Sequence, residues 1–272
     1  MPQVLLVDVG NTHTVVGVLD GERIAPRLRL ATDRHRTADE YAALLVPLLA
    51  QGGVRPAEIS GCLVSSVVPP MNVTLKALAR NLFDVQVVFV EPGIKTGLPI
   101  RYDNPTEVGA DRIVNSVAAR HIFGSPVVVV DFGTATTFDL VDEGGAYAGG
   151  IIAPGVGISA EALFDHASKL SQVDLRRPAQ LVGKSTASAM QSGIYYGYLS
   201  LVDGILERLK EERPGLDSVV ATGGQAALLA GDSRHIRHVD ELLTLKGLEI
   251  IYRKNPNLFP AAVPVSEAGE PT

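Results

Sequence analysis

The chain has 272 residues, of which 46% are hydrophobic and 20% charged, and this composition excludes a disordered or coiled-coil protein. A formal net charge of -6 provides no uniform basic field for a nucleic-acid backbone, so no nucleic-acid partner is predicted. The single cysteine, Cys62, excludes an intrachain disulfide and fits a reducing cytoplasm. The sequence shows neither an apolar run long enough for a membrane span nor the features of a signal peptide, so we expect no membrane partner.

The first part of the chain alternates patterns typical of strands and helices. Apolar runs at 4–10 and 15–19 flank a turn and predict a β-hairpin. Thr37 and Glu40 have the spacing of a capping box, and the apolar residues behind them predict a helix that ends near Gly52. Three further elements are predicted in this part: a strand over 62–68, a helix that includes 75–83 and a strand over 85–90.

The opening hairpin pattern returns near the middle of the chain. After a helix predicted over 109–121, residues 126–141 again show the pattern of strand, tight turn and strand. A third strand with a Gly-Gly turn follows at 218–224 and precedes a helix from Gln225. Because the two hairpins share residue types and order, we predict two similar α/β domains that arose by internal duplication. The predicted bounds are 1–122 and 123–255, with a partly loose C-terminal tail over 256–272.

Both hairpin turns carry residues that suit phosphate chemistry. Asp8 and Asp131 each end a buried strand and are followed by a glycine, whose missing Cβ leaves backbone N–H groups accessible, and then by a threonine donor. Asp8 would hold a hydrated Mg²⁺ against the phosphates. A single copy of this pattern is more often an ordinary turn. Two related copies together with the Gly-Gly turn favour a nucleotide site.

Other candidate sites fail on their spacing. Gly183-Lys184-Ser185 resembles the end of a Walker A loop, but Pro178 occupies the position that needs a glycine. Gly155 and Gly157 imitate a dinucleotide fingerprint, yet no second strand ending in an acid follows them, and we predict a structural loop. The six histidines lack metal-ligand spacing and are assigned no role.

The run Gly109-Ala110-Asp111-Arg112 begins a predicted helix, where backbone N–H groups and the macrodipole favour anions. Taken alone, it predicts a solvated helix cap with a surface ion pair. In a kinase, however, transfer to an alcohol needs a carboxylate that takes the hydroxyl proton and a donor that holds the substrate. Asp111 and Arg112 supply both groups.

Along nearly its whole length the sequence resembles the type III pantothenate kinase family. The motifs that carry the resemblance are 8–12, Tyr102 with 104–105, 107–112, 131–136, 149–155, 183–186 and 221–224. The resemblance implies two actin-like (ribonuclease H-like) α/β domains with the active site in the cleft between them. It also implies an ATP-dependent transferase that phosphorylates pantothenate to 4′-phosphopantothenate, the first step of coenzyme A biosynthesis.

Position by position, the resemblance implies a role for each motif residue. Asp111 would be the general base, Asp131 would hold a monovalent cation, K⁺ or NH₄⁺, and Asp8 would hold Mg²⁺ through the phosphates. The ATP-binding residues would be Asp8, Val9, Gly10, Asn11, Thr12, His13, Thr14, Val15 and Thr134. The pantothenate-binding residues would be Tyr102, Gly109, Ala110, Asp111, Arg112 and Thr186.

The resemblance further implies a cytoplasmic homodimer whose substrate pocket is completed near the subunit interface. The apolar helix around 194–198 is a candidate for that contact and equally a core helix. Two other functions use the same scaffold. A non-catalytic regulator has no need for Asp8, Asp111 and Asp131 together, and a phosphatase needs an acid that activates water. The 109–112 run does not separate the phosphatase from the kinase, and only the full motif set does.

Overall fold

The computed structural model describes residues 3–166 and 173–259 of the chain. These residues form two compact units. One unit runs up to Lys95 and resumes at Leu248, and the other is Thr96–Gly247. Each unit contains one five-stranded sheet, which confirms the two α/β halves predicted from the sequence.

The first unit is built on a sheet with the order β3-β2-β1-β4-β5. Its strands are β1 (Gln3–Val9), β2 (His13–Asp20), β3 (Arg23–Ala31), β4 (Ile59–Ser66) and β5 (Val87–Phe89). β1, β2 and β3 form an antiparallel meander, and β4 and β5 extend the sheet in parallel from β1. The run Val4-Leu5-Leu6-Val7 is buried on both faces, as expected for a central strand.

Helices α1 (Ala38–Gln51) and α2 (Pro69–Leu78) belong to this unit, and a π-helical turn over Ala79–Phe83 extends α2. The predicted capping box begins α1, because the Thr37 hydroxyl accepts from Glu40 N at 3.3 Å and the Glu40 carboxylate accepts from Thr37 N at 2.7 Å. Apolar residues of the two helices and the sheet form one core, which includes Val7, Val16, Leu45, Leu49, Val64, Met71 and Leu75.

The second unit is built on a sheet with the order β10-β9-β6-β7-β8. Its strands are β6 (Val127–Phe132), β7 (Ala135–Val141), β8 (Tyr147–Pro154), β9 (Ser218–Thr222) and β10 (His238–Val239). Its helices are α3 (Ala110–Phe123), α4 (Val156–His166), α5 (Thr186–Glu212) and α6 (Ala226–Leu229). In α7 (Leu243–Lys254) the chain returns to the first unit.

The two sheets share strand order and strand direction, which confirms the duplication. In each hairpin an aspartate stands one residue before the last pair of the ladder, so that Asp8 faces Val15 and Asp131 faces Thr137. The first turn has four residues, 10–13, between the pair Val9–Thr14. The second has three residues, 133–135, between the pair Phe132–Thr136. The second copy of the turn is therefore one residue shorter.

Among the elements that differ from the sequence prediction are β3 and α6. The sequence prediction omits β3, in which Pro26 interrupts the run. Its exposed residues Arg27 and Arg29 alternate with partly buried leucines, which is the pattern of a half-buried strand. The predicted helix from Gln225 is short, since α6 covers only Ala226–Leu229 before a 3₁₀ turn follows.

The aromatic segment Ile194–Tyr198 lies inside α5 and supports the core of the second unit. Tyr195 and Tyr198 are 1% and 7% exposed, and Ile194 and Tyr196 pack against the same core while partly exposed. Of the two predicted alternatives, a subunit contact or a core helix, the core helix is therefore correct for the two buried tyrosines.

The domain bounds 1–122, 123–255 and 256–272 stay a prediction and differ from the compact units, because α3 packs on β6 and β7. Most of the predicted tail, 260–272, lies outside the described residues. Within 3–166 and 173–259, no helix has the length and apolar character needed to cross a membrane.

Candidate active site

The turn between β1 and β2 is shaped by its own backbone. Gly10 N donates to His13 O at 3.0 Å, and a Cβ added to Gly10 would lie only 3.2 Å from the same oxygen. Residues 11–13 are exposed at the tip, whereas Val9 and Thr14 are buried. Of the residues predicted to bind ATP here, Val9 and Thr14 therefore support the turn from the inside, and the tip is open to a ligand.

The segment that follows β3 is bonded to this turn. The Thr32 hydroxyl donates to Gly10 O at 2.7 Å, and Thr32 N donates to Thr12 O at 2.9 Å. Arg34 Nη2 donates to Asn11 Oδ1 at 3.2 Å. These contacts hold the turn in one conformation and bring a cationic side chain to its tip. Sequence reasoning missed both residues, because no motif marks them.

Asp8 lies at the end of β1, partly buried, beside the exposed turn. A carboxylate in this position suits a hydrated Mg²⁺ that also contacts phosphates. Across residues 3–166 and 173–259, no group of three or more His, Cys, Asp or Glu side chains is arranged to hold a metal ion.

Gly155 packs against the main chain of the turn between β6 and β7. Gly133 N donates to Ala135 O at 3.2 Å, and Gly155 N donates to Thr134 O at 3.1 Å. A Cβ added to Gly155 would lie 2.3 Å from Thr134 O, so only glycine fits under the turn. The structural role predicted for Gly155 is confirmed, but the predicted loop is wrong for Gly157, which lies within α4.

Asp131 ends β6 in a crowded polar environment. Its Oδ2 accepts from Asn115 Nδ2 at 3.0 Å, and Asn115 Oδ1 in turn accepts from Thr244 Oγ1 at 2.8 Å. Gly223 approaches so closely that an added Cβ would lie 2.4 Å from Asp131 Oδ1. Burial, with the added charges of Asp111 and Asp139, raises the pKa of Asp131 to about 7.

Asp111 lies in the first turn of α3, behind the N-cap residue Gly109. Its carboxylate accepts from Arg112 N at 2.7 Å, and the residue as a whole is partly exposed. Burial raises the pKa of Asp111, and the hydrogen bond from Arg112 N and the guanidinium charge oppose that rise. A carboxylate with a raised pKa is a stronger base than an ordinary surface aspartate.

The Arg112 side chain points into the unit and is only 7% exposed. Its Nε donates to Asp139 Oδ1 at 2.7 Å. Asp139 is fully buried in β7 and also accepts from the hydroxyls of Tyr147 at 2.9 Å and Thr137 at 2.8 Å. Burial raises the pKa of Asp139, and the guanidinium and the two hydroxyls oppose the rise. The alternative of a solvated cap with a surface ion pair is therefore wrong.

Sequence reasoning missed Asp139, Tyr147 and Asn115. None of them belongs to the motifs that suggested the site. One signal was available for Asp139, since an acid between the apolar residues Phe138 and Leu140 of a strand must find partners inside the fold. The partner itself was not predictable, because Arg112 is 27 residues away in the chain.

Tyr147 lies between Tyr102 and the Arg112 side chain, and a glycine packs against each of the latter two residues. The rings of Tyr102 and Tyr147 lie 6.2 Å apart between centroids, and the Arg112 guanidinium lies 5.8 Å from the Tyr147 ring. A Cβ added to Gly149 would lie 3.7 Å from the Tyr102 ring, and one added to Gly150 would lie 2.6 Å from Arg112 Nη2. Gly149 therefore leaves room for Tyr102, and Gly150 leaves room for Arg112, and both of these residues are predicted to bind pantothenate.

Thr186 is the first residue of α5 and is exposed, and Ser185 caps the helix. Gly183 packs against the same helical turn, since a Cβ added there would lie 2.3 Å from Ala189 N. This packing explains the glycine of the motif that imitates a Walker A loop. No described contact joins Thr186 to Asp111 or Arg112.

Within the second unit, the structure gathers Asp111, Arg112 and Asp131 into one charged cluster together with Asp139. Tyr102, Gly109 and Ala110 border this cluster or begin the helix that carries it. The residues predicted to bind ATP lie on the two hairpin turns, Asp8 to Val15 in the first unit and Thr134 in the second.

Comparison with known proteins gives a consistent result. The family model described as type III pantothenate kinase matches residues 4–208. The type III pantothenate kinase of Koribacter versatilis is 52% identical over 261 residues, covering 92% of this chain and 95% of that protein. The type III pantothenate kinase of Halalkalibacterium halodurans is 51% identical over 252 residues, covering 93% of this chain and 99% of that protein.

Among solved structures, a Campylobacter jejuni protein that carries the name Baf family transcriptional activator has a TM-score of 0.58 to this chain. The two are 23% identical, and the match covers 93% of this chain and 100% of the other. At this identity the likeness shows the fold alone, because one fold hosts many functions.

We expect Asp131→Asn to raise the melting temperature more at about pH 8 than at about pH 4. Folding raises the pKa of Asp131 from 3.8 to about 7, so between these values the folded chain holds a proton that the unfolded chain releases. The stabilisation from this proton is complete below the lower pKa and is lost as the pH rises through the upper one. In K⁺-free buffer at about pH 8, the variant should melt about 2–8 °C above the unaltered protein.

Asp217→Asn is the control for this experiment, because it removes an exposed aspartate from the same unit. It should leave the melting temperature nearly unchanged at both pH values. A gain for Asp131→Asn that is as large at about pH 4 as at about pH 8 would show that the carboxylate is not destabilised by burial.

Proposed function

The chain belongs to the type III pantothenate kinase family, and on that premise we propose that the charged cluster of its second unit binds pantothenate, with Asp111 as general base. This cluster consists of Asp111, Arg112, Asp131 and Asp139. The chain is an ATP-dependent kinase. In the reaction, the 4′-hydroxyl oxygen of pantothenate attacks the γ-phosphorus of ATP as the bond to the ADP oxygen breaks. The hydroxyl proton passes to the Asp111 carboxylate, and the products are ADP and 4′-phosphopantothenate.

One observation carries the assignment of Asp111. It is the carboxylate of the cluster that has no side-chain donor in the described contacts, since its recorded bond comes from Arg112 N at 2.7 Å. Asp139 is occupied by three donors, and Asp131 accepts from Asn115. Asp111 is also partly accessible, and burial raises its pKa. A partly accessible carboxylate with a raised pKa suits a group that must take a proton near neutral pH.

The two hairpin turns are proposed to bind the ATP phosphates. The exposed tip at 11–13 and the neighbouring Asp8 support this role in the first unit, and Thr134 supports it in the second. Phosphoryl transfer depends mainly on positioning and on neutralising charge. A turn that is bonded at Gly10 and Thr12 to a second segment fits that requirement, because it does not need to reorganise when the nucleotide binds. Asp8 would hold Mg²⁺ through the phosphates.

A monovalent cation, K⁺ or NH₄⁺, is proposed to bind at Asp131. The carboxylates of Asp111, Asp131 and Asp139 share one guanidinium, that of Arg112, in the described contacts. The surplus of negative charge favours a cation, whose usual protein ligands are carboxylate and carbonyl oxygens, and the main chain at Gly223 lies close to Asp131 Oδ1. A bound cation would supply compensating positive charge to this cluster.

The remaining assignments extend the family resemblance. We expect a homodimer in the cytoplasm whose product enters coenzyme A biosynthesis. The exposed start of α5 at Thr186 suits a pocket that is completed near a subunit interface. A regulator without catalysis is the weaker alternative, because it has no physical need for a buried arginine, a base and two phosphate turns at once.

ADP release by the purified protein tests the function directly. With ATP, Mg²⁺ and K⁺, we expect release that depends on pantothenate, formation of 4′-phosphopantothenate by mass spectrometry, and slower turnover when choline replaces K⁺. ATP hydrolysis that is indifferent to pantothenate would favour the phosphatase, and the absence of turnover with every cation would favour the regulator.

Asp111→Asn should lower kcat by about 10²–10⁴-fold, the usual scale for loss of a general base, and should leave the circular dichroism spectrum unchanged. In the unaltered protein, kcat should fall with decreasing pH, because protonation of Asp111 removes the base. The raised pKa of Asp111 puts this acid limb above the pH range in which ordinary aspartates titrate.

With saturating K⁺ in both assays, so that the proposed cation site at Asp131 stays filled, the acid limb should be weaker in the residual activity of Asp111→Asn than in the unaltered protein. Asp217→Asn is the matched control and should retain both kcat and the pH profile. Near-normal turnover by Asp111→Asn would remove Asp111 from the mechanism.

A further inference from the structure

The Arg112 guanidinium is buried with one nitrogen unused. Nε is bonded to Asp139, whereas Nη2 is shielded from solvent and has no hydrogen-bond partner among the described residues. Buried polar groups in folded proteins almost always have a partner, and an exception at a charged group needs a specific reason. A ligand oxygen that binds at Nη2 is such a reason.

The surroundings of Arg112 fix the direction of this nitrogen. The guanidinium donates its one described hydrogen bond, from Nε, to Asp139, whose position is itself set by hydrogen bonds from the hydroxyls of Tyr147 and Thr137. The Tyr147 ring lies 5.8 Å from the guanidinium carbon. Gly150 lies against the pair, since a Cβ there would lie 2.6 Å from Nη2 and 3.1 Å from Asp139 Oδ1, so glycine at this position lets the guanidinium and Asp139 keep their places.

We infer that Asp139 is a positioning residue for pantothenate, which acts by holding Arg112 so that Nη2 donates to an acceptor oxygen of the substrate. This inference rests on the proposed function of the same cluster. Asp139 itself is fully buried and does not touch the substrate. Asp139 fixes the long Arg112 side chain in advance, so that ordering this side chain does not reduce the affinity for the substrate. It also keeps the guanidinium charge in a site from which water is largely excluded.

Asp139→Asn tests the inference, because the amide has nearly the same shape but no charge. We expect the KM for pantothenate to rise about 10–100-fold, as for the loss of one buried charged contact. The KM for ATP should stay within about twofold, since the nucleotide turns make no described contact with Asp139. The split between the two KM values separates positioning from a general loss of structure.

Asp203→Asn is the matched control. Asp203 is another buried aspartate of the second unit, where it accepts from Ser233 and Arg234 and is 4% exposed. Its replacement should lower stability without changing the KM for pantothenate. If Asp139→Asn changes the two KM values in parallel, or changes neither, Asp139 is only structural and the inference is overturned.

Tyr147→Phe keeps the test decisive if Asp139→Asn does not fold. This change removes one donor to Asp139 and keeps the ring. It should raise the KM for pantothenate several-fold and leave the KM for ATP unchanged, and an unchanged KM for pantothenate would contradict the inference. Absence of pantothenate-dependent turnover in the unaltered protein would refute the proposed function and the inference together. Normal turnover of the unaltered protein, with variants that do not raise the KM for pantothenate more than the KM for ATP, would refute the inference alone.

Discussion

A buried ion pair joins the start of α3 to the middle of β7 and determines where the polar groups of the second unit can lie. Arg112 and Asp139 are 7% and 0% exposed and their atoms Nε and Oδ1 are 2.7 Å apart. Removing one partner of such a pair leaves an uncompensated buried charge and costs about 3–5 kcal/mol. Arg112 is fixed inward, whereas its neighbour Asp111 is partly exposed at the rim of the cluster, where we propose that it meets the substrate hydroxyl.

Duplication explains why the two units carry related turns with different chemistry. The pairs Asp8–Val15 and Asp131–Thr137 occupy the same place in the two hairpins. Two pairs further along, Gly17 faces Leu6 in the first unit and Asp139 faces Val129 in the second. The first sheet therefore has glycine where the second has the acid that holds Arg112. This difference supports a division of labour in which the first unit serves the nucleotide and the second also serves the acceptor.

The parts of the fold that the sequence predicts are those fixed by neighbouring residues. The capping box of α1 and the two hairpins follow from local spacing, and the repeated turn pointed to the duplication. β3 was missed although its leucines alternate with arginines, because Pro26 interrupts the run. Asp139, Tyr147 and Asn115 escaped because their roles come from contacts with α3 and β6, which only the folded sheet brings together. The residue pattern itself pointed to Mg²⁺ at Asp8 and to proton acceptance by Asp111. The monovalent cation at Asp131 and the identity of the substrate came from family resemblance, since one fold alone does not determine a substrate.

The most direct test of this account is a crystal structure with pantothenate and a non-hydrolysable ATP analogue bound. The account predicts that the pantothenate 4′-hydroxyl oxygen lies within about 3.2 Å of an Asp111 carboxylate oxygen, and that another pantothenate oxygen lies within a similar hydrogen-bonding distance of Arg112 Nη2. Pantothenate bound away from both residues, with Nη2 still lacking a partner, would contradict it.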